Sequence, residues 1–350
     1  IVRSLNDVAI RLTMKLNWGI IGAGKIADRQ MAPAIALAQD QQLIAVMRRD
    51  LAQAQTFATR HGAQRAYDSV EALLADEAIN VVYVATPPHL HAEQTILAAQ
   101  HGKHVLCEKP MALNTTQAQQ MIEACDKHNV RLMICYYQRF NSRHLRIKQL
   151  LAEGAIGQVT AARISFSEYF PPQPGVWHHD PVISGGGPLM DLATHCIDLI
   201  SFLCGPAVEV SAFVDTLAAD SLVEDTATLL LRLQGGVQAV VTTHWSTANH
   251  DPERFNRLEI YGTEGTIVAA PIQAKDSSGT LQVITADGTQ DFGVEPGGPR
   301  PHVALLDSFA GSINDDIPVS IPGEDGLAGL AVVEAAVESA RSGRRIVLRN

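Results

Sequence analysis

Short, wholly apolar runs alternate with amphipathic stretches as far as Arg139. Beyond it the runs lengthen into β-rich segments joined by tight turns. Leu16–Ile21, Leu43–Met47, Val81–Ala85, Val105–Cys107 and Arg131–Tyr137 have the length of strands and bring few polar positions with them. Such runs predict strands covered on both faces. Between them, Lys25–Ala38, Leu51–His61, Val70–Ala75, His91–His101 and Thr115–Asn129 read as helices, the first expected to kink at Pro33. Strand and helix in alternation predict a doubly wound parallel sheet.

After Arg139 the helix Ser142–Glu153 ends at Gly154. The runs Thr160–Glu168, Ala207–Asp215, Thr226–Leu233, Gly236–Trp245 and Arg257–Gly262 follow. Turns such as Gln234-Gly235-Gly236 and Thr263-Glu264-Gly265 suit hairpins, so this half is expected to be α+β, with a large, mostly antiparallel open sheet. Two helices, Pro188–Leu203 and Gly326–Ser342, break the run of strands. Gln290–Pro301 reads as a Gly/Pro-rich loop, and Arg345–Leu348 as a last strand. The boundary is placed at 138/139, giving domains 14–138 and 139–350. Residues 1–13 lack an apolar signal core and precede Met14, and they read as a tag or a misplaced start.

Composition narrows the class. A chain of 350 residues can hold two cores, and 18% charged with 46% hydrophobic residues is the balance of a globular protein. A net charge of −10 argues against a nucleic-acid partner while allowing one local basic pocket. No apolar run reaches the length of a membrane span. Five cysteines without Cys-x-x-Cys or zinc-type spacing read as buried thiols in a reducing, cytoplasmic setting, and no metal is expected.

Gly22-Ala23-Gly24-Lys25-Ile26-Ala27 joins the first strand to the first helix. The first glycine permits the turn, the second lets the backbone approach a pyrophosphate, and the small Ala27 permits close helix–sheet packing. The N-terminal domain is therefore read as a dinucleotide-binding Rossmann domain. Arg48 and Arg49 are the first residues beyond the second strand, with Asp50 just after. A guanidinium there pairs with a 2′-phosphate, which points to NADP, whereas Asp50 on the ribose would point to NAD.

These residues resemble the Gfo/Idh/MocA oxidoreductase family. So do Thr86-Pro87-Pro88-His89-Leu90-His91, the run Lys103–Pro110 with its Glu108-Lys109-Pro110, Gly185–His195, and Ile260–Thr266. The resemblance covers residues 15 to about 349. Within the family the chain looks nearest to NADP-dependent sugar reductases, through Trp18–Ala23 and Tyr169–Pro172 leading to Trp177. It departs from them at His178 and at Arg48-Arg49. The glycine turn and the end of the second strand give cofactor contacts from Gly22, Ala23, Gly24, Lys25, Ile26, Arg48 and Arg49; the family-like motifs add Thr86, Pro87, His89, His91, Glu108 and Lys109, and Tyr137 is read as either a nicotinamide contact or simple packing. The resemblance also implies a cis Lys109–Pro110 bond.

Asp191 and His195 stand four apart on the expected helix Pro188–Leu203, capped by Gly187 and ended by Gly205, so both are expected on one face. An imidazole can pass a proton to or from a substrate oxygen, a carboxylate beside it favours the charged ring, and a lysine can stabilise charge on that oxygen. The resemblance gives the catalytic roles to Lys109, Asp191 and His195. Trp177 and His178 join Asp191 and His195 as substrate contacts, with a lid anchor in the core as the other reading of Trp177. Arg139 is read as either a substrate contact or a junction anchor, and His104 as structural. Specificity is expected in the loops Tyr169–Pro181 and Gly293–His302.

The function expected is NAD(P)-dependent oxidoreduction, with NADPH reducing a sugar-like carbonyl or the reverse oxidation of a polyol. The alternatives are an NAD-dependent inositol or sugar dehydrogenase, an NAD-using glycosidase and a non-catalytic nucleotide-sensing subunit. The partners expected are a small sugar or polyol and further copies of the chain, as a homodimer or homotetramer.

Overall fold

Strands buried on both faces need a layer of helices above and below. The computed structural model, which describes residues 14–247, 255–274, 276–294, 297 and 300–348, shows that arrangement in its first half. The strands β1 (Leu16–Ile21), β2 (Gln41–Met47), β3 (Arg65–Tyr67), β4 (Val81–Val84), β5 (His104–Cys107) and β6 (Leu132–Ile134) form one parallel sheet. Its order is β3-β2-β1-β4-β5-β6. The chain switches direction across the sheet between β1 and β4, which opens a crevice at the carboxyl ends of those strands.

The second half builds a nine-stranded sheet. Its members are β7 (Val159–Ser167), β8 (Ala207–Asp215), β9 (Thr226–Leu233), β10 (Gln238–His244), β11 (Leu258–Gly262), β12 (Gly265–Ala270), β13 (Thr280–Thr285), β14 (Gly288–Asp291) and β15 (Ile346–Val347). They run in the order β14-β13-β12-β11-β7-β10-β9-β8-β15, and β7 with β10 is the one parallel pair among the described residues. The helices Ala193–Cys204 and Gly323–Ser342 pack on one face. Phe213, Leu230 and Ile284 stand exposed on the other.

Local departures from expectation have physical causes. β3 is three residues at a sheet edge with no apolar run to announce it. The strand expected over Arg131–Tyr137 stops at Ile134, and Tyr137–Phe140 is a single 3₁₀ turn. The first helix widens into a π-turn over Ala27–Met31, where the Ala32 N–H reaches back to the Ala27 carbonyl. Pro33, which has no N–H to give, follows directly, and the widened turn carries the chain past its ring. The helix expected over Pro188–Leu203 breaks at Leu192 into Pro188–Asp191 and Ala193–Cys204, where the run Pro181–Asp191 meets Ala193–Cys204 at a bend of 45°.

The two halves interlock. The Ile134 N–H donates to the Ile321 carbonyl at 3.0 Å, and Met133 bridges Pro322, so the chain returns to the β6 edge just before its long last helix. That helix lies close because its first turns are glycines. A Cβ on Gly323 would fall 2.6 Å from Ile122 Cγ1, and one on Gly326 2.7 Å from Met111 Sδ. Arg139 is a junction anchor. It donates to Asp198 at 2.6 Å and to Asp325 at 2.7 Å, joining both helices, and does not line the cleft described below. His104 is structural, its Nδ1 accepting from the Arg131 N–H at 3.0 Å. No single helix among the described residues is long and apolar enough to cross a membrane.

Candidate active site

The glycine turn is held from below. The Gly22 and Ala23 N–H groups donate to the Met47 carbonyl at 3.1 and 3.0 Å, which sets the turn above β1 and β2. Gly22 has φ +91°, and a Cβ there would sit 2.7 Å from the Thr86 backbone nitrogen, so the fold itself demands glycine. Gly24 differs. The nearest protein atom to a Cβ at that position is 3.8 Å away, so nothing in the protein requires a missing side chain there. Ala27 is fully buried, as close packing asks. Lys25 is exposed, and Ile26, 40% exposed, faces the cleft.

At the end of β2, Arg48 and Arg49 are exposed, and an Arg48 Nη1 donates to the Ala23 carbonyl at 3.4 Å. Asp50 caps the helix Leu51–His61. Its carboxylate accepts from the Gln53 N–H at 3.1 Å and from the Gln53 amide at 2.7 Å.

Beyond β4 the Thr86 hydroxyl donates to Gln94 at 2.6 Å, and Pro87 leads into the turn Pro88–Leu90. His89 sits on that turn, partly exposed. His91 is enclosed, with Nε2 2.7 Å from the Thr86 carbonyl and Nδ1 2.9 Å from the Pro110 carbonyl. It ties the β4 loop to the β5 loop and has both ring nitrogens occupied by the protein.

Lys109 follows β5, and its bond to Pro110 is cis, as expected. The Glu108 carboxylate beneath it accepts short hydrogen bonding from the Tyr83 hydroxyl and a bond from the Lys109 N–H at 3.1 Å. Burial raises the Glu108 pKa. The Lys109 ammonium donates to Asp191 Oδ1 at 2.6 Å and to the Asp191 carbonyl at 3.0 Å. Burial opposes the charge on each side chain, but the pair outweighs it. The Lys109 pKa is raised and the Asp191 pKa lowered, so both stay ionised.

His195 lies in the same cleft on the next helix. Tyr136, Tyr137 and Phe166 surround its ring, with centroids 6.4, 5.6 and 6.1 Å away, and its Nδ1 is buried without a hydrogen-bond partner among the described residues. Burial, then the Lys109 charge, depress its pKa well below the ordinary histidine value, and Asp191 does not compensate. The carboxylate expected to hold this ring charged is spent on Lys109 instead, so the resting ring is neutral. The expected single helical face is also replaced by a bend. Asp191 ends one segment, and His195 is in the first turn of the next.

Lys109, Asp191 and His195 line one cleft of about 250 Å³ with Thr86, Tyr137, Trp177 and His178. Trp177 and His178 stack on each other at 3.7 Å, and the His178 Nδ1 is buried without a partner. Asp180 caps the short helix Pro181–Ser184 through the Val182 N–H at 3.0 Å. Of the other candidates, Gly22, Ala23, Gly24, Lys25, Arg48, Arg49, Pro87 and His89 do not line that cleft. They lie on the turns and strand ends beside it.

Three contributors escaped the sequence reading, and a fourth, His302, was expected only as part of a specificity loop. The Gln273 amide donates to the Tyr137 hydroxyl at 2.5 Å, and His302 stacks on the same ring at 4.2 Å. Trp245 closes one wall of the cleft. Glu224 Oε1 accepts from the Gly187 and Leu189 N–H groups at 2.8 and 3.0 Å, capping the segment that ends in Asp191. The one local hint is Gly187, where a Cβ would fall 1.9 Å from the Glu224 carbonyl oxygen.

A strand–glycine turn–helix at a topological switch point, opening on a lysine–carboxylate pair and a buried histidine, defines a nucleotide-dependent oxidoreductase. Residues 16–136 match the GFO/IDH/MocA oxidoreductase family, NAD-binding Rossmann fold, and residues 144–268 match the GFO/IDH/MocA C-terminal domain. The chain belongs to the Gfo/Idh/MocA oxidoreductase family. It is 31% identical to a 1,5-anhydro-D-fructose reductase of Ensifer adhaerens, over 93% of this chain and 97% of that one. It is 37% identical to a trans-1,2-dihydrobenzene-1,2-diol dehydrogenase of Danio rerio, over 73% of this chain and 74% of that one. Among solved structures it resembles an aldose-aldose oxidoreductase from Caulobacter crescentus complexed with glycerol. There the TM-score is 0.88 at 28% identity, with 95% of this chain and 100% of the other covered. A levoglucosan dehydrogenase in complex with NADH and L-sorbose gives a TM-score of 0.85 at 26% identity, over 95% and 99% of the two chains.

The residues fit the dinucleotide that the family implies. Space stands open over Gly24, the small Ala27 brings the helix start close to β1, and exposed guanidinium groups stand at the end of β2.

Proposed function

We propose that the chain is an NADP-preferring oxidoreductase acting on a sugar-like carbonyl or the matching hydroxyl, with Lys109, Asp191 and His195 as its polar machinery. The observation that carries this reading is the ionised Lys109–Asp191 pair beside a neutral, buried His195 in one cleft at the sheet's carboxyl edge. Relatives described as acting on sugars and diols support the substrate class. A bound nicotinamide supplies or accepts the hydride.

The protein supplies charge and protons. Lys109 spends two donations on Asp191, and its third N–H is left for a substrate oxygen. A positive donor there stabilises charge that builds on that oxygen as the carbonyl is reduced, or the alkoxide formed as the hydroxyl is oxidised. Neutral His195 is in its basic form. It takes the hydroxyl proton during oxidation and must first gain a proton to serve reduction. The rings of Tyr136, Tyr137 and Phe166 exclude water from it.

The preference for NADP rests on Arg48 and Arg49 standing exposed while Asp50 is committed to its helix cap. Exposed Phe213, Leu230 and Ile284 on the open sheet face support association with further copies. A fluorescence titration with NADPH and NADH tests the cofactor reading. Tighter NADPH binding is expected, with Arg48→Ala losing about tenfold in NADPH affinity and leaving NADH unchanged. Equal affinities, or equal losses in the variant, would refute the preference.

A further inference from the structure

A second cavity of about 250 Å³ lies on the far side of Trp245 from the catalytic histidine's cleft. Trp245 forms part of both walls. So does the turn Trp177–His179, which gives His178 to the cleft and His179 to the second cavity. Phe170 sits in the partition, 5.1 Å from each of these histidine rings and 5.2 Å from the Trp245 ring.

The cavity is built, not left over. Buried Asp225 accepts from the Leu217, Ala218 and Ala219 N–H groups at 3.0, 2.8 and 2.9 Å, which fixes the loop forming one wall. Burial resists the charge on Asp225, yet these bonds hold its pKa below the ordinary value. The Phe170 N–H donates to the Trp245 carbonyl at 2.9 Å, and Tyr169 bridges Ser246, fixing the opposite wall.

Its chemistry is that of a carbohydrate site. Tyr169, 57% exposed, joins Phe170, Pro171 and Pro172 in offering flat apolar surface, which suits the C–H face of a sugar ring. Ser221, Ser246 and Glu224 bring hydroxyl and carboxylate oxygens to the same space. Trp245 is 2% exposed, and its Nε1–H is buried with no acceptor among the described residues.

We propose that this cavity is a second subsite of the catalytic cleft. It takes the non-reacting ring of an extended, polyhydroxylated substrate, so that the chain favours a disaccharide or other glycoside over a free monosaccharide. The inference rests on the sugar reading above and deepens it. Glu224 gives the subsite a physical link to the chemistry, because the carboxylate on its wall also caps the segment that presents Asp191.

The test is calorimetric titration of the NADPH-loaded full chain with pyranosides and their α- and β-linked disaccharides, repeated for Ala219→Phe and Tyr169→Ala. Ala219→Phe fills the cavity from a partly exposed loop position, and Tyr169→Ala strips its wall at an exposed one, so neither endangers the fold. A ring that binds is expected to bind about tenfold or more tightly as its disaccharide, and both variants should abolish that gain while leaving the monosaccharide within about twofold. A disaccharide gain that survives both variants, or no gain anywhere in the panel, would overturn the subsite. Failure of the underlying sugar reading looks different: NADPH binds, yet neither single rings nor disaccharides bind or turn over.

Discussion

Replacing Gly24 by alanine is expected to leave the fold intact and remove the dinucleotide, while the same change at Gly22 damages the fold first. The two positions differ in what surrounds an added Cβ. At Gly22 the backbone φ of +91° is costly for an L-residue, and the Cβ would press on the Thr86 nitrogen at 2.7 Å. The conformational part costs about 1–2 kcal/mol and the overlap adds to it, so about 2 kcal/mol or more should be lost. At Gly24 no positive φ is involved and the nearest atom is 3.8 Å away. There alanine restricts the unfolded chain and should add about 0.4–1 kcal/mol of stability. The methyl group would project into the space where a pyrophosphate meets bare backbone, weakening binding about tenfold or more. Urea unfolding without nucleotide reads the first quantity, and NADPH fluorescence titration reads the second. Wild-type NADPH affinity in Gly24→Ala would refute the argument that open space at Gly24 marks the dinucleotide bed. Equal loss of stability in both variants would refute the packing argument.

Three further outcomes follow from the site and its supports. Lys109→Met should lower turnover about 10²–10³-fold, and, with the cation beside His195 gone, should move the acid limb of the oxidation pH–rate profile to higher pH. An unmoved limb would show that Lys109 does not tune His195. Arg139→Leu should cost about 3–5 kcal/mol by stranding Asp198, whose side chain is 2% exposed, and a urea midpoint close to wild type would contradict this. Burial depresses the folded pKa of His144 to about 3 and of His302 to about 4, from an ordinary 6.5. The unfolded chain therefore takes up these protons first as pH falls below 6.5, and the stability present above that value is lost. Between pH 7.5 and 5.5 each histidine costs about 1.4 kcal/mol. Burial raises Asp198 to about 6 against the pull of Arg139, so the folded chain protonates it first. That returns about 0.8 kcal/mol over the same interval. Urea midpoints at the two pH values should show the net loss, and His302→Asn should remove about 1.4 kcal/mol of it; an unchanged slope in that variant would refute the assignment.

The parallel sheet was legible because its strands are enclosed on both faces and so write their burial directly as apolar runs. The glycine turn was legible because its spacing serves a local geometry. Edge and outer strands such as β3 and β14 were not, since their residues face solvent and carry no run. The site divides in the same way. Lys109, Asp191 and His195 sit in recognisable local motifs, and the structure brings them together. Gln273 reaches the cleft, and Glu224 the segment that presents Asp191, from distant parts of the chain, and nothing in their neighbourhoods announces a role; His302, expected in a specificity loop, stands in the first turn of a helix and stacks on Tyr137. The break at Leu192 belongs with them, since Glu224 grips the short segment before it from a strand connection far along the chain. The charge on His195 was misread for a related reason. Spacing puts a carboxylate near the ring, but the lysine that captures it arrives through the fold.

The return of Ile321 and Pro322 to the β6 edge bears on how the protein is made. On a ribosome, the first sheet emerges with that edge unpaired and with Met111, Ile122 and Ile134 uncovered, since the helix that covers them, Gly323–Ser342, follows strands β7 to β14 in the chain. The nascent chain must carry a sticky, half-finished nucleotide domain while most of the second sheet is made. Expressing residues 14–138 alone would freeze it in that state.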